Sequence, residues 1–157
     1  MKKFVFLFVM ITIGKLFAQQ NDALKHYTFP ELETAQKEEA RPYVVFLYTD
    51  WCRYCHGMKK NTFSDPEVIK IFNEDFYFVA MNAEQKDAIQ FLGNTFTYKP
   101  SGANTGLHEL AEALGKTNGK MTYPTTVFLN AKNEIMLQYV GFGDRDDLLS
   151  LMKKVLH

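Results

Sequence analysis

Cysteine is the scarcest informative residue here: Cys52 and Cys55 are the only two among 157 positions. That count excludes a multi-disulfide scaffold and a four-cysteine zinc site. Neither sign of charge is in excess, with 18 Lys plus Arg against 18 Asp plus Glu, so there is no basic footprint for nucleic acid. Long apolar runs are missing too. The stretch Phe4 to Ile13 has ten residues including a threonine, too few to span a bilayer. Tryptophan occurs once, and there are no internal repeats or low-complexity linkers. What is present is 46% hydrophobic and 15% aromatic content, enough for the core of a single globular domain.

The first eighteen residues read as separate from that domain. Lys2 and Lys3 form a positive start, Phe4 to Ile13 an apolar centre, and Leu16-Phe17-Ala18 a small-residue end. This is the layout of a secretory signal peptide over residues 1–18, which leaves a domain over 19–157. The alternative is an uncut anchor, and Lys15 breaks any longer membrane helix. Removal would leave 15 basic and 18 acidic residues, a net charge of −3. The expectation is a periplasmic or otherwise exported protein that does not span the membrane after cleavage. Disulfides persist in such a compartment. A bond between residues three apart closes almost no loop and constrains the unfolded chain little, so it is more useful made and broken than as a staple.

In the remaining chain, Thr28-Phe29-Pro30-Glu31 offers a capping box with proline in the first turn, predicting a helix to about Ala40 that Arg41-Pro42 ends. Residues 43–49 are apolar on both parities, as a strand buried on both faces requires. A helix follows from Cys52 to about Asn61. Ser64-Asp65-Pro66-Glu67 predicts another helix start, and Phe76 to Met81 another buried strand. Residues 85–120 read as an insert. It has a hairpin turning at Gly93-Asn94, a loop from Lys99 to Gly106, and a helix carrying Leu107, Leu110, Ala111 and Leu114 that Gly115 ends. A strand through Leu129, a turn at 130–133 and a strand from Glu134 to Val140 follow. Asp144, with Asp147 three residues on, caps a final helix.

A strand delivering Trp51-Cys52-Arg53-Tyr54-Cys55 to a helix start, with Tyr123-Pro124-Thr125 opening a late strand–turn–strand–helix, resembles the thioredoxin family over about residues 29–156. Gly141 falls where family members have a glycine after the last strand. The export signal, His56 and the Tyr-Pro-Thr-Thr-Val-Phe-Leu strand resemble exported members, including the C-terminal domain of the disulfide reductase DsbD. The resemblance implies an α/β thioredoxin-like fold, a central mixed sheet flanked by helices, with the insert before the proline strand. It further implies a cis Tyr123–Pro124 bond facing the cysteines, exposing backbone of Tyr123 to an extended substrate segment.

The chemistry of such a pair is thiol–disulfide exchange, with Cys52 as the attacking thiolate and Cys55 as the resolving thiol. Unpaired N–H groups at the helix start favour the anion on Cys52, and Arg53 adds positive charge. Trp51 and Tyr54 are candidate apolar walls, with core packing as the bland reading of Trp51. His56, four residues after Cys52, is a candidate tuning cation, against a plain half-exposed helix residue. No cofactor or metal is expected beyond the redox-active Cys52–Cys55 disulfide. The expected partners are protein dithiols or disulfides and an upstream electron donor such as a membrane reductase. The family's buried aspartate six residues before the first cysteine is Phe46 here, so the Cys55 proton must pass through water, His56, Asp50 or a substrate group. Three other readings compete. Cys52-x-x-Cys55-His56 satisfies the c-type haem attachment pattern. Zinc would have to recruit His26, His108 or His157 without further cysteines. A non-catalytic binding module could use the insert, with His108-Glu109 on its surface.

Overall fold

The computed structural model describes residues 23–157, so the expected signal segment lies outside the described residues. The chain order is α1 (Phe29–Glu38), β1 (Tyr43–Tyr48), α2 (Arg53–Lys60), a 3-10 turn at Thr62–Ser64, α3 (Pro66–Asp75) and β2 (Tyr77–Asn82). The insert holds β3 (Ile89–Phe91), β4 (Asn94–Phe96), β5 (Tyr98–Pro100), β6 (Gly106–His108) and α4 (Glu109–Gly115). The chain closes with β7 (Thr125–Leu129), β8 (Ile135–Val140) and α5 (Arg145–Leu156).

One four-stranded sheet runs in the order β2-β1-β7-β8. Strand β1 pairs in parallel with β2, Tyr43 opposite Tyr77, and antiparallel with β7, Tyr43 opposite Leu129. Being central, β1 has Tyr43 to Leu47 fully buried, which explains its continuous apolar run. Alternation sends its side chains to two different cores. Tyr43, Val45 and Leu47 meet Phe29 and Leu32 of α1 and the insert residues Ile89, Phe91, Leu110 and Leu114. Val44 and Phe46 meet Cys52, Cys55, Met58, Phe63, Phe72 and Leu148. The mixed α/β fold with flanking helices is therefore as expected.

Local signals placed the helix starts well. Thr28 and Asp144 both form complete capping boxes, with Glu31 and Asp147. The third start is corrected. Asp65, not Ser64, caps α3, accepting from the N–H groups of Glu67 and Val68, while the Ser64 hydroxyl donates to the Lys60 carbonyl. Proline at 66 is the reason, since its preset φ makes it the first helical residue and the residue before it the cap.

The insert departs most from expectation. Its first hairpin turns at Leu92-Gly93, both at positive φ (52° and 73°), one residue earlier than predicted, with Phe91 opposite Asn94. The expected loop from Lys99 to Gly106 is a second hairpin in which β5 and β6 pair antiparallel. Gly115 ends α4 as expected, with Lys116 as its C-cap, and a Cβ there would lie 2.3 Å from Leu47 Cδ1. The glycine serves close helix–sheet approach.

Candidate redox site

Strand β1, buried from Tyr43 to Leu47, carries the chain to Thr49, and the turn after it presents Cys52, whose N–H donates to the Thr49 carbonyl at 3.2 Å. Cys52 is the N-cap of α2, and its Sγ accepts from the Cys55 N–H at 3.1 Å. A helix amide is thus aimed at the sulfur whose anion the helix end would favour. Cys52 and Cys55 are joined in a disulfide of 2.05 Å, and both are buried, Cys55 the more deeply.

The Tyr123–Pro124 peptide is cis, Pro124 is buried, and Tyr123 packs against the cluster that holds both cysteines. Among the described residues the Tyr123 N–H and C=O make no turn or loop hydrogen bond. Burial, assisted by the Glu84 carboxylate, pushes the Tyr123 phenol up to about 12, so it stays neutral. Trp51 and Tyr54 are 66% and 68% exposed, which removes core packing as the role of Trp51. The Trp51 indole stands edge-on to Tyr123 at 6.0 Å between ring centres, and its Nε1–H donates to Glu84 Oε2 at 3.1 Å. Tyr54 leans against Phe142 at 6.4 Å.

Arg53 and His56 are exposed. The His56 Nε2 contacts the Asp50 carbonyl at 2.7 Å, which ties the helix back to the preceding turn. The Asp50 carboxylate in turn accepts from Asn82 Nδ2 at 2.9 Å. Where the family carries its acid, Phe46 is fully buried and edge-on to Phe63 at 4.7 Å. Beside it lies a cavity of about 440 Å³ lined by Leu24, His26, Tyr48, Lys59, Phe63, Phe78 and Ala80, with no carboxylate among them. Lys59 sets its ammonium 2.9 Å from the centre of the Tyr48 ring, and burial lowers its pKa.

His108 is corrected. Far from being a surface residue, it is fully buried, accepting from the Leu110 N–H at its Nδ1 and donating from Nε2 to the Asp87 carbonyl, both at 3.2 Å. No group of three or more His, Cys, Asp or Glu side chains suited to a metal occurs among the described residues. No helix among them is long and apolar enough to cross a membrane. Sequence reasoning missed Glu84 and Phe142. Phe142 had a signal, because it directly follows the glycine already singled out; Glu84 had none, lying 33 residues from Trp51.

Comparison with known structures bears on the fold. A candidate disulphide isomerase from Bacteroides thetaiotaomicron is 27% identical, with a TM-score of 0.54 over 85% of this chain and 88% of that one. A thioredoxin from Thermus thermophilus shares 24% identity and a TM-score of 0.61 over 86% and 88%. The oxidised C-terminal domain of DsbD from Neisseria meningitidis shares 22% identity and a TM-score of 0.52 over 78% and 88%. Among curated proteins, none matches this chain. The family model described as a thioredoxin-like domain spans residues 29–156, from the first residue of α1 to the last of α5, and this chain belongs to that family.

Proposed function

We propose that this chain is an exported thiol–disulfide oxidoreductase that reduces protein disulfides, with residues 1–18 as its cleaved signal. The carrying observation is the Cys52–Cys55 disulfide at the N-terminus of α2, beside a cis Tyr123–Pro124 loop. In the reduced protein the Cys52 thiolate attacks one sulfur of a substrate disulfide, forming a mixed disulfide and releasing one substrate thiolate. Cys55, as thiolate, then attacks Cys52 Sγ and releases the second substrate thiolate. Two electrons pass to the substrate, and the protein ends in the disulfide form. The Cys55 proton goes to water or to the departing substrate thiolate, because the Phe46 side of the site is apolar. Tyr123 backbone groups pair with the substrate segment, while Trp51 and Tyr54 flank it. Arg53 and the helix amide at Cys52 favour the thiolate; His56 braces the turn at Asp50. No cofactor is required beyond the cysteine pair. An upstream dithiol, such as that of a membrane reductase, restores the reduced form.

The test is insulin reduction under a dithiol donor. Wild type is expected to be active, Cys52→Ser inactive, and Cys55→Ser to accumulate mixed disulfides. Activity surviving Cys52→Ser would refute the catalytic assignment. A reduction potential near −120 mV, that of the oxidant DsbA, would refute the reductase direction.

A further inference from the structure

The loop leaving β8 is fastened far more firmly than an exposed connection needs to be. The Gly141 N–H donates to the Pro124 carbonyl at 2.8 Å, which ties the loop to the cis-proline segment. The buried Thr62 hydroxyl donates to the Gly143 carbonyl at 2.9 Å, and the Gly143 N–H contacts Met58 Sδ at 3.4 Å. Between these anchors, the Phe142 carbonyl accepts from the Tyr139 hydroxyl at 3.2 Å. Gly141 sits at φ +106°, a left-handed value that side chains resist, with nothing within 4 Å of where a Cβ would lie. Its glycine therefore answers a backbone need and not a steric one. The result is a phenylalanine 42% exposed, held by its neighbours on both sides, with its ring against Tyr54. Part of the ring rests on α2 at Tyr54 and Gly57, and the rest is presented to solvent.

The exposed aromatic neighbours of the two cysteines, Trp51 and Tyr54, differ in their partners. Trp51 carries the Glu84 carboxylate on its indole nitrogen. Tyr54 instead rests on the Phe142 ring, an apolar contact. A rigid apolar wall on one side only gives directional preference, because docking a side chain there orders little that is not already ordered.

We propose that Phe142, preorganised by Gly141, Thr62 and Met58, is a specificity-determining residue, selecting protein segments with an aromatic or long aliphatic side chain beside the attacked cysteine. This rests on the exchange function proposed above. The test compares two oxidised substrates with the reduced full-length protein: a peptide disulfide with Phe adjacent to one cysteine, and the same peptide with Ser there. Glutathione disulfide serves as a probe without a side chain for the wall. Wild type should favour the Phe peptide by about tenfold in kcat/KM, mostly through KM, the size expected for one partly buried aromatic contact. Phe142→Ala should abolish that preference, lowering kcat/KM on the Phe peptide about tenfold and far less on the Ser peptide and glutathione disulfide, and Phe142→Leu should retain most of it. Gly141→Ala, which turns the wall without removing it, should resemble Phe142→Ala. Equal use of both peptides by wild type, or a preference that survives Phe142→Ala, overturns the specificity role while the exchange function stands. If wild type reduces none of the three substrates, the exchange function falls and the specificity role falls with it.

Discussion

Replacing His108 should damage this protein more than any surface histidine could. His108→Ala leaves the Leu110 N–H and the Asp87 carbonyl without their partners inside a fully buried site. Each orphaned group costs roughly 1–3 kcal/mol, and the unfilled space adds about 1–2 kcal/mol. The expected loss is then about 3–8 kcal/mol, a large share of the ~5–15 kcal/mol that holds a domain folded. His108→Asn should recover about 1 kcal/mol, because asparagine is a good N-cap and can again accept from Leu110. The same geometry fixes a pH dependence. Nδ1 accepts a hydrogen bond, so the ring must be neutral there, and burial lowers its pKa below 6.5 against the opposing pull of the Asp87 carbonyl and Glu109. The unfolded chain therefore binds a proton that the folded chain resists. Stability is complete above about pH 6.5 and declines as pH falls below it. His26, also lowered by burial, contributes a slope of the same sign. His108→Asn should accordingly reduce the acid slope by at most one proton, about 1.4 kcal/mol per pH unit, without removing it. Urea unfolding of the oxidised protein followed by far-UV circular dichroism from pH 4.5 to 8 measures both effects. A loss under about 1 kcal/mol in His108→Ala, or an unchanged slope in His108→Asn, would refute this account of the insert.

Three further outcomes follow from named contacts. Glu84→Ala removes the acceptor of the single tryptophan, so Trp51 fluorescence anisotropy should fall while unfolding free energy changes by less than about 1 kcal/mol, the contact being exposed. An unchanged anisotropy would mean that Tyr123 alone positions the indole. Gly115→Ala drives a methyl group to 2.3 Å from Leu47 Cδ1 and 3.0 Å from Met121 Cε, and should destabilise by about 1–3 kcal/mol in denaturant titration even though alanine is the better helix former. Asp144→Ala removes the side-chain half of the α5 capping box, the acceptor of the Asp147 N–H, and should cost about 1 kcal/mol, read as a fall in melting temperature; Asp144→Asn should lose much less.

The sequence by itself determined whatever depends on neighbours in the chain. Capping boxes at Thr28 and Asp144, the helix beginning at the cysteines and the buried run of β1 are written in residues three or four apart or in unbroken apolar stretches. Cys52 and Cys55 could be recognised as a pair because one helical turn joins them, and Pro124 because proline opening a strand is conspicuous. Even there, a one-residue ambiguity such as Ser64 against Asp65 was resolved only by which side chain reached the amides.

Tertiary structure decided the rest, and for one physical reason: burial and long-range pairing are set by what packs from elsewhere. The second hairpin of the insert consists of three-residue strands without apolar alternation, stabilised by each other and by the core behind them. His108 reads as a polar surface residue until Ala83, Asp87 and Leu110 close around it. Gly115 reads only as a helix end until Leu47 is seen packed against it. At the redox site, two thiols and a proline were legible from the chain. The contacts of the neighbouring aromatics, Trp51 on Glu84 and Tyr54 on Phe142, join residues 33 and 88 positions apart that only the folded sheet brings together.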